Sequence, residues 1–94
     1  MNLETFAGLY DLGGQRRYRV EQRGDELAMG REGGKLEPLI RVGDNVFVAK
    51  GDPLAIQYIF LRGTDGQVDR IVERRKFADL QLLRVRDAAP LRPA

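Results

Sequence analysis

A chain of 94 residues is long enough for one compact domain and too short for two. Hydrophobic residues make up 43%, too many for a disordered tail, and 16 Lys and Arg against 14 Asp and Glu leave a net charge of only +2. Cys, His, Ser and Trp are all absent, which removes disulfides, thiolate and imidazole metal ligands, the usual general base and the commonest nucleophiles.

Glycine punctuates the chain at short intervals, and the segments between glycines are too short for ordinary helices and right for strands. Near the start, Asn2, Glu4 and Thr5 interrupt any apolar run, so no signal peptide is expected there. No stretch approaches the roughly 20 apolar residues that a membrane-crossing helix needs. The first strand is expected near Leu9. In the second, Tyr18 and Val20 share one face while Arg17, Arg19 and Glu21 share the other; Leu27 and Met29 alternate in the same way in the third. Arg23-Gly24-Asp25 supplies the turn between them. The fourth strand is expected near Leu39. Leu36 and Leu39 there have opposite parity around Pro38, which predicts a bulge or an edge position at the proline.

Gly43-Asp44-Asn45 leads into a fifth strand around Phe47. The sixth, Ala55 to Leu61, is apolar on both faces, so Ile59 and Leu61 need a cover: the N-terminal segment, a partner subunit or a neighbouring domain. Gly63-Thr64-Asp65-Gly66 is a strong hairpin signal before a seventh strand near Ile71. Residues 76–85 fit a strand with Phe77, Leu83 and Val85 on one face, and also a helix with Phe77, Leu80 and Leu83 in one stripe. The strand is preferred, because a meander needs a closing element and no cap residue opens a helix. The expected architecture is all-β: a small antiparallel meander of about eight strands forming a closed or partly open barrel. Residues 1–87 form a single domain, and 88–94, with Pro90 and Pro93, a flexible tail.

The order of motifs carries a resemblance. Leu3-Glu4-Thr5-Phe6-Ala7-Gly8-Leu9-Tyr10 resembles the opening of lipocalin-like barrels, where a short turn enters strand one, the glycine allows close backbone approach and the next aromatic plugs the barrel floor. Glu26-Leu27, Leu36-Glu37-Pro38-Leu39, Asp44-Asn45-x-Phe47, Ile56-x-Tyr58-x-Phe60 and Asp65-Gly66-x-Val68 follow in order. Over residues 3–85 the chain resembles the lipocalin-like C-terminal domain of class C β-lactamase-related serine hydrolases. It departs from lipocalins proper in carrying Tyr10 where they carry Trp, and in its shorter length. The resemblance implies a basic side chain of the last strand, Arg84 or Arg86, stacked over Tyr10; the alternative is that both arginines face outward.

Four functional classes can be weighed. For catalysis, the nearest carboxylate pairs are Asp44 with Asp52 and Asp65 with Asp69, but both lie in or beside turns, where acids serve hydrogen bonding and solubility. No catalytic, cofactor or metal residues are assigned. Nucleic-acid binding would use Arg16, Arg17, Arg19 and Arg23 around Tyr18, with Arg74, Arg75 and Lys76. It is disfavoured, because Tyr18 points away from its arginine neighbours and a net charge of +2 attracts phosphate weakly. A small apolar ligand would be lined by Tyr10, Tyr18, Leu27, Met29, Leu39, Phe47, Tyr58 and Phe60, although four Phe and three Tyr leave little room inside so small a barrel. The fourth class, a non-catalytic accessory or interaction domain, is the reading adopted. Its partner would be a serine hydrolase catalytic domain or a second copy, touched by Ile59 and Leu61 with Arg74 and Arg75 as rim charges.

Overall fold

The computed structural model describes residues 3–13, 16–51, 56–75 and 78–85. Eight antiparallel strands follow a short 3₁₀ turn: η1 (Leu3–Phe6), β1 (Gly8–Gly13), β2 (Arg16–Arg23), β3 (Glu26–Arg31), β4 (Glu37–Arg41), β5 (Val46–Ala49), β6 (Gln57–Arg62), β7 (Val68–Arg74) and β8 (Asp79–Arg84). Each pairs with the next in sequence, and β8 returns to β1, with Tyr10 opposite Arg84 and Asp11 opposite Leu83. The meander is therefore a closed barrel, without the unpaired edges that an open sheet presents.

The turns form where the chemistry requires them. At Asp65-Gly66 the glycine adopts a φ of 81°, the Asp65 carboxylate accepts from the Gln67 amide at 3.0 Å, and the Gly63 amide reaches the Gln67 carbonyl at 2.8 Å. In η1 the Ala7 amide donates to the Glu4 carbonyl at 3.2 Å. Three residues per turn then set Leu3 and Phe6 on one side, and both are buried at one end of the barrel.

Alternation places Tyr10, Val20, Leu27, Met29, Leu39, Phe47, Phe60, Ile71 and Leu82 inside. Pro38 needs neither a bulge nor an edge. Leu36 precedes β4, so its parity imposes nothing on the strand, and Pro38 lies opposite Ala28 without a register shift. Its carbonyl accepts from the Lys50 amide at 2.9 Å, just past the end of β5. The missing N–H thus falls where the ladder is finishing. Register shifts sit elsewhere, between Asp11 and Gly13 opposite β2 and, as a bulge, between Leu61 and Arg62 opposite β7. That bulge lets Val68 and Ile71, three positions apart, both be fully buried.

The last segment is a strand, as expected over its described part, but the core face is the one carrying Leu80, Leu82 and Arg84. Leu82 is fully buried, whereas Leu83 is 57% exposed on the outside and Val85 half-buried. Ala55, Lys76, Phe77, Arg86 and the 88–94 tail lie outside the described residues, as does Asp52.

Candidate functional site

Two regions bring chemistry together: the barrel end plugged by η1, and the outer face of β4–β7.

At the plugged end, Phe60 meets three rings edge-on: Phe6 at 5.0 Å between centroids, Phe47 at 5.4 Å and Tyr10 at 5.9 Å. Phe6 also meets Phe47 at 5.5 Å. Edge-to-face pairs add about 0.5–1.5 kcal/mol each beyond area burial. These rings pack the barrel interior at this end, where an enclosed ligand would sit. Of the predicted cavity residues, Tyr10, Leu27, Met29, Leu39, Phe47 and Phe60 are buried in this core, while Tyr18 and Tyr58 are half-buried and packed against it. Leu27, Leu39 and Phe47 border a cleft of about 590 Å³ beside Leu3 and Gln22, and Phe60 borders another of about 760 Å³ with Thr5, Phe6, Asn45 and Arg62. A third, of about 450 Å³, runs past Asp11, Arg17 and Leu83. No tyrosine lines any of the three.

Arg84 is the cation over Tyr10, its guanidinium carbon 5.8 Å from the ring centroid. It donates to the carbonyls of Ala7 at 2.6 Å and Val68 at 2.9 Å, and lies 3.5 Å from that of Thr5. Gly8 makes room for this fork. Its φ is 153°, and a Cβ there would lie 3.1 Å from the Arg84 Nε. Arg86 is among the residues not described.

Tyr10 donates its hydroxyl to the Phe6 carbonyl at 2.8 Å. Burial pushes the phenol up to about 12 from its ordinary 10, with the Arg84 charge pulling weakly the other way. The unfolded phenol ionises first, so this contribution is intact below pH 10 and is lost as the pH rises from 10 towards 12. The loss amounts to about 2–3 kcal/mol, as an order of magnitude. Denaturant melts at pH 9 and pH 12 check this: the wild type loses more stability over that interval than Tyr10→Phe, and parallel losses would contradict it.

On the outer face, cross-strand register aligns apolar side chains. Ile40 lies opposite Val48, and Val46, Ile59 and Val72 form one row across three strands. Leu61 lies opposite Arg70, which lies opposite Leu83. Ile59 and Leu61 are half-buried here; Ile40 is 44% and Val42 55% exposed. The predicted rim charges are already paired. Arg74 lies 3.5 Å from the Asp79 carboxylate. Arg75 donates to the Glu73 carboxylate, with Nε at 2.8 Å and Nη2 at 2.6 Å. Glu73 is itself turned inward and 5% exposed, so Arg75 neutralises a buried acid. Ion pairs also join Arg19 to Glu32 and Arg23 to Glu21 within the cluster considered for nucleic acid.

Sequence reasoning missed Arg41 and Arg62. The Arg41 guanidinium carbon lies 5.7 Å from the Phe6 centroid and 5.6 Å from that of Phe47, and Arg62 lies 5.9 Å from Phe6. Arg41 was legible only as one more charge at a strand end, because its partner Phe6 comes from a distant segment. Among the described residues, no group of three metal-ligating side chains occurs and no helix is long and apolar enough to cross a membrane. Comparison with protein-family models, curated proteins and solved structures returns no match in any of the three.

Proposed function

We propose that this chain is a non-catalytic interaction barrel, of the kind appended to β-lactamase-related serine hydrolases, and that it docks on the hydrolase catalytic domain through the outer face of β4–β7. The single observation that carries the reading is the row Val46–Ile59–Val72, flanked by Ile40–Val48 and Leu61, which places apolar side chains on the face that a small closed barrel normally gives to water. Charged residues border the patch at Arg70 and Arg74, each held by a neighbouring aspartate. An apolar centre with a paired, polar rim is the usual anatomy of a protein interface. The stacking of Arg84 on Tyr10 and the close approach of Gly8 agree with the lipocalin-like resemblance that suggests the hydrolase partner. The small-ligand reading has less support, because the ring cluster fills the plugged end of the barrel.

Two measurements test this. The isolated chain turns over neither ester nor β-lactam substrates, and turnover that survives purification overturns the reading. Titrated into a β-lactamase-related hydrolase catalytic domain from the same genome, it binds, and Ile59→Glu weakens that binding by about tenfold or more, the scale of a central interface contact. Failure to bind, or equal affinity for wild type and variant, rejects the docking face.

A further inference from the structure

We propose that the cleft of about 760 Å³ between η1, the β4–β5 turn and the end of β6 binds a small organic oxyanion, a phosphate monoester or carboxylate on an apolar body, held by Arg41 and Arg62. This site lies at the barrel end and does not depend on the docking face.

Both guanidiniums are fixed in advance. Arg41 donates from Nε to the Gly43 carbonyl at 3.1 Å and from Nη2 to the Asp44 carbonyl. Arg62 donates from Nη1 to the Gly66 carbonyl at 2.9 Å and lies 3.3 Å from the Thr5 hydroxyl. Each carbon is within 6 Å of the same Phe6 ring. Backbone carbonyls and a ring quadrupole orient a cation without cancelling its charge. Among the described residues the ion pairs are Arg19–Glu32, Arg23–Glu21, Arg70–Asp69, Arg74–Asp79 and Arg75–Glu73, and none involves Arg41 or Arg62. Nη1 of Arg41, and Nε and Nη2 of Arg62, make no hydrogen bond to a described residue. Two preorganised forks with unspent donors on one cleft match the bidentate geometry that carboxylates and phosphates accept. The volume falls in the range of small-molecule pockets, and Phe6 and Phe60 on its wall supply apolar contact. One feature opposes an anion: Asp44 borders the same cleft. Its carboxylate repels the ligand and gives the proposal a signed test.

The experiment titrates the ¹⁵N-labelled chain with phenyl phosphate, benzoate and inorganic phosphate at constant ionic strength in chloride. Expected are saturable shifts of the amides of residues 43–45 and 63–66 and of the Arg41 and Arg62 Nε–H signals. Phenyl phosphate binds more tightly than inorganic phosphate, and its affinity relative to benzoate shows which oxyanion the forks prefer. Arg62→Gln, at an exposed position, weakens binding by about tenfold, the scale of one lost charge-assisted contact. Asp44→Asn tightens it, and Arg31→Gln, at the far end of β3, leaves it unchanged. Shifts that never saturate, equal affinity in Arg62→Gln, or unchanged or weaker binding in Asp44→Asn overturn the proposal. Equal affinity for phenyl phosphate and inorganic phosphate overturns its apolar part.

Discussion

Arg84→Met lowers the unfolding free energy by about 3–5 kcal/mol, the worth of two hydrogen bonds from a charged donor to part-buried backbone carbonyls. The side chain ties the Ala7 and Val68 carbonyls together and covers the Tyr10 ring. It thereby fastens the entry of β1 to the start of β7 from the last strand. Methionine keeps much of the volume and none of the donors, so the loss reports the fork rather than a void. Arg84→Lys does not restore the wild-type value, because an ammonium presents a point charge where two separate carbonyls need a planar fork. Urea denaturation monitored by circular dichroism measures both variants. A loss under about 1 kcal/mol in Arg84→Met would mean that water replaces the guanidinium at little cost.

The second large effect is at the centre of the ring cluster. Phe60→Ala costs about 3–5 kcal/mol, from lost burial plus the cavity left behind. Phe60 touches Phe6, Phe47 and Tyr10 on different sides, so removing it strips an edge-to-face partner from each of the three. The closed ladder around it restricts collapse into the vacancy. Small domains are stable by only about 5–15 kcal/mol in total, so this variant melts far below the wild type or fails to fold at 37 °C. Phe60→Leu, which keeps most of the volume, loses distinctly less. Equal losses from the two variants would show that ring geometry, not volume, sets the cost.

Much of the fold was legible because local signals agreed with one another. Asp65-Gly66 fixed one hairpin, and Tyr18 and Val20 alternated cleanly against Arg17 and Arg19. The inner face of the last strand was harder. Leu80 and Leu82 have one parity, Leu83 and Val85 the other, so apolar content cannot choose between the faces. Arg84 settles it in a way that alternation does not anticipate. The arginine accompanies Leu82 inward because carbonyls from two distant segments receive it, Thr5 and Ala7 on one and Val68 on the other. Glu73 is a similar case: an acid on the core face, acceptable once Arg75 neutralises it. The two parities of Val68 and Ile71 also needed a bulge that no residue type announces. At the plugged end, Arg41, Arg62 and Phe6 come from three separate segments, and their meeting follows only from barrel closure. The outer apolar row was partly foreseen through Ile59 and Leu61, while Val46 and Val72 joined it only once the register was known.

The pairing of first strand with last also dictates an order of assembly on the ribosome. Neighbouring hairpins such as β2–β3 can form as soon as they emerge, whereas the bond from Arg84 to Ala7 spans 77 positions. A nascent chain stalled or truncated before Asp79 therefore holds most of its ladder but lacks β8 and its latch, and exposes β1 and β7 to any other strand nearby. Mispairing of this barrel is therefore most accessible in the interval before β8 has emerged.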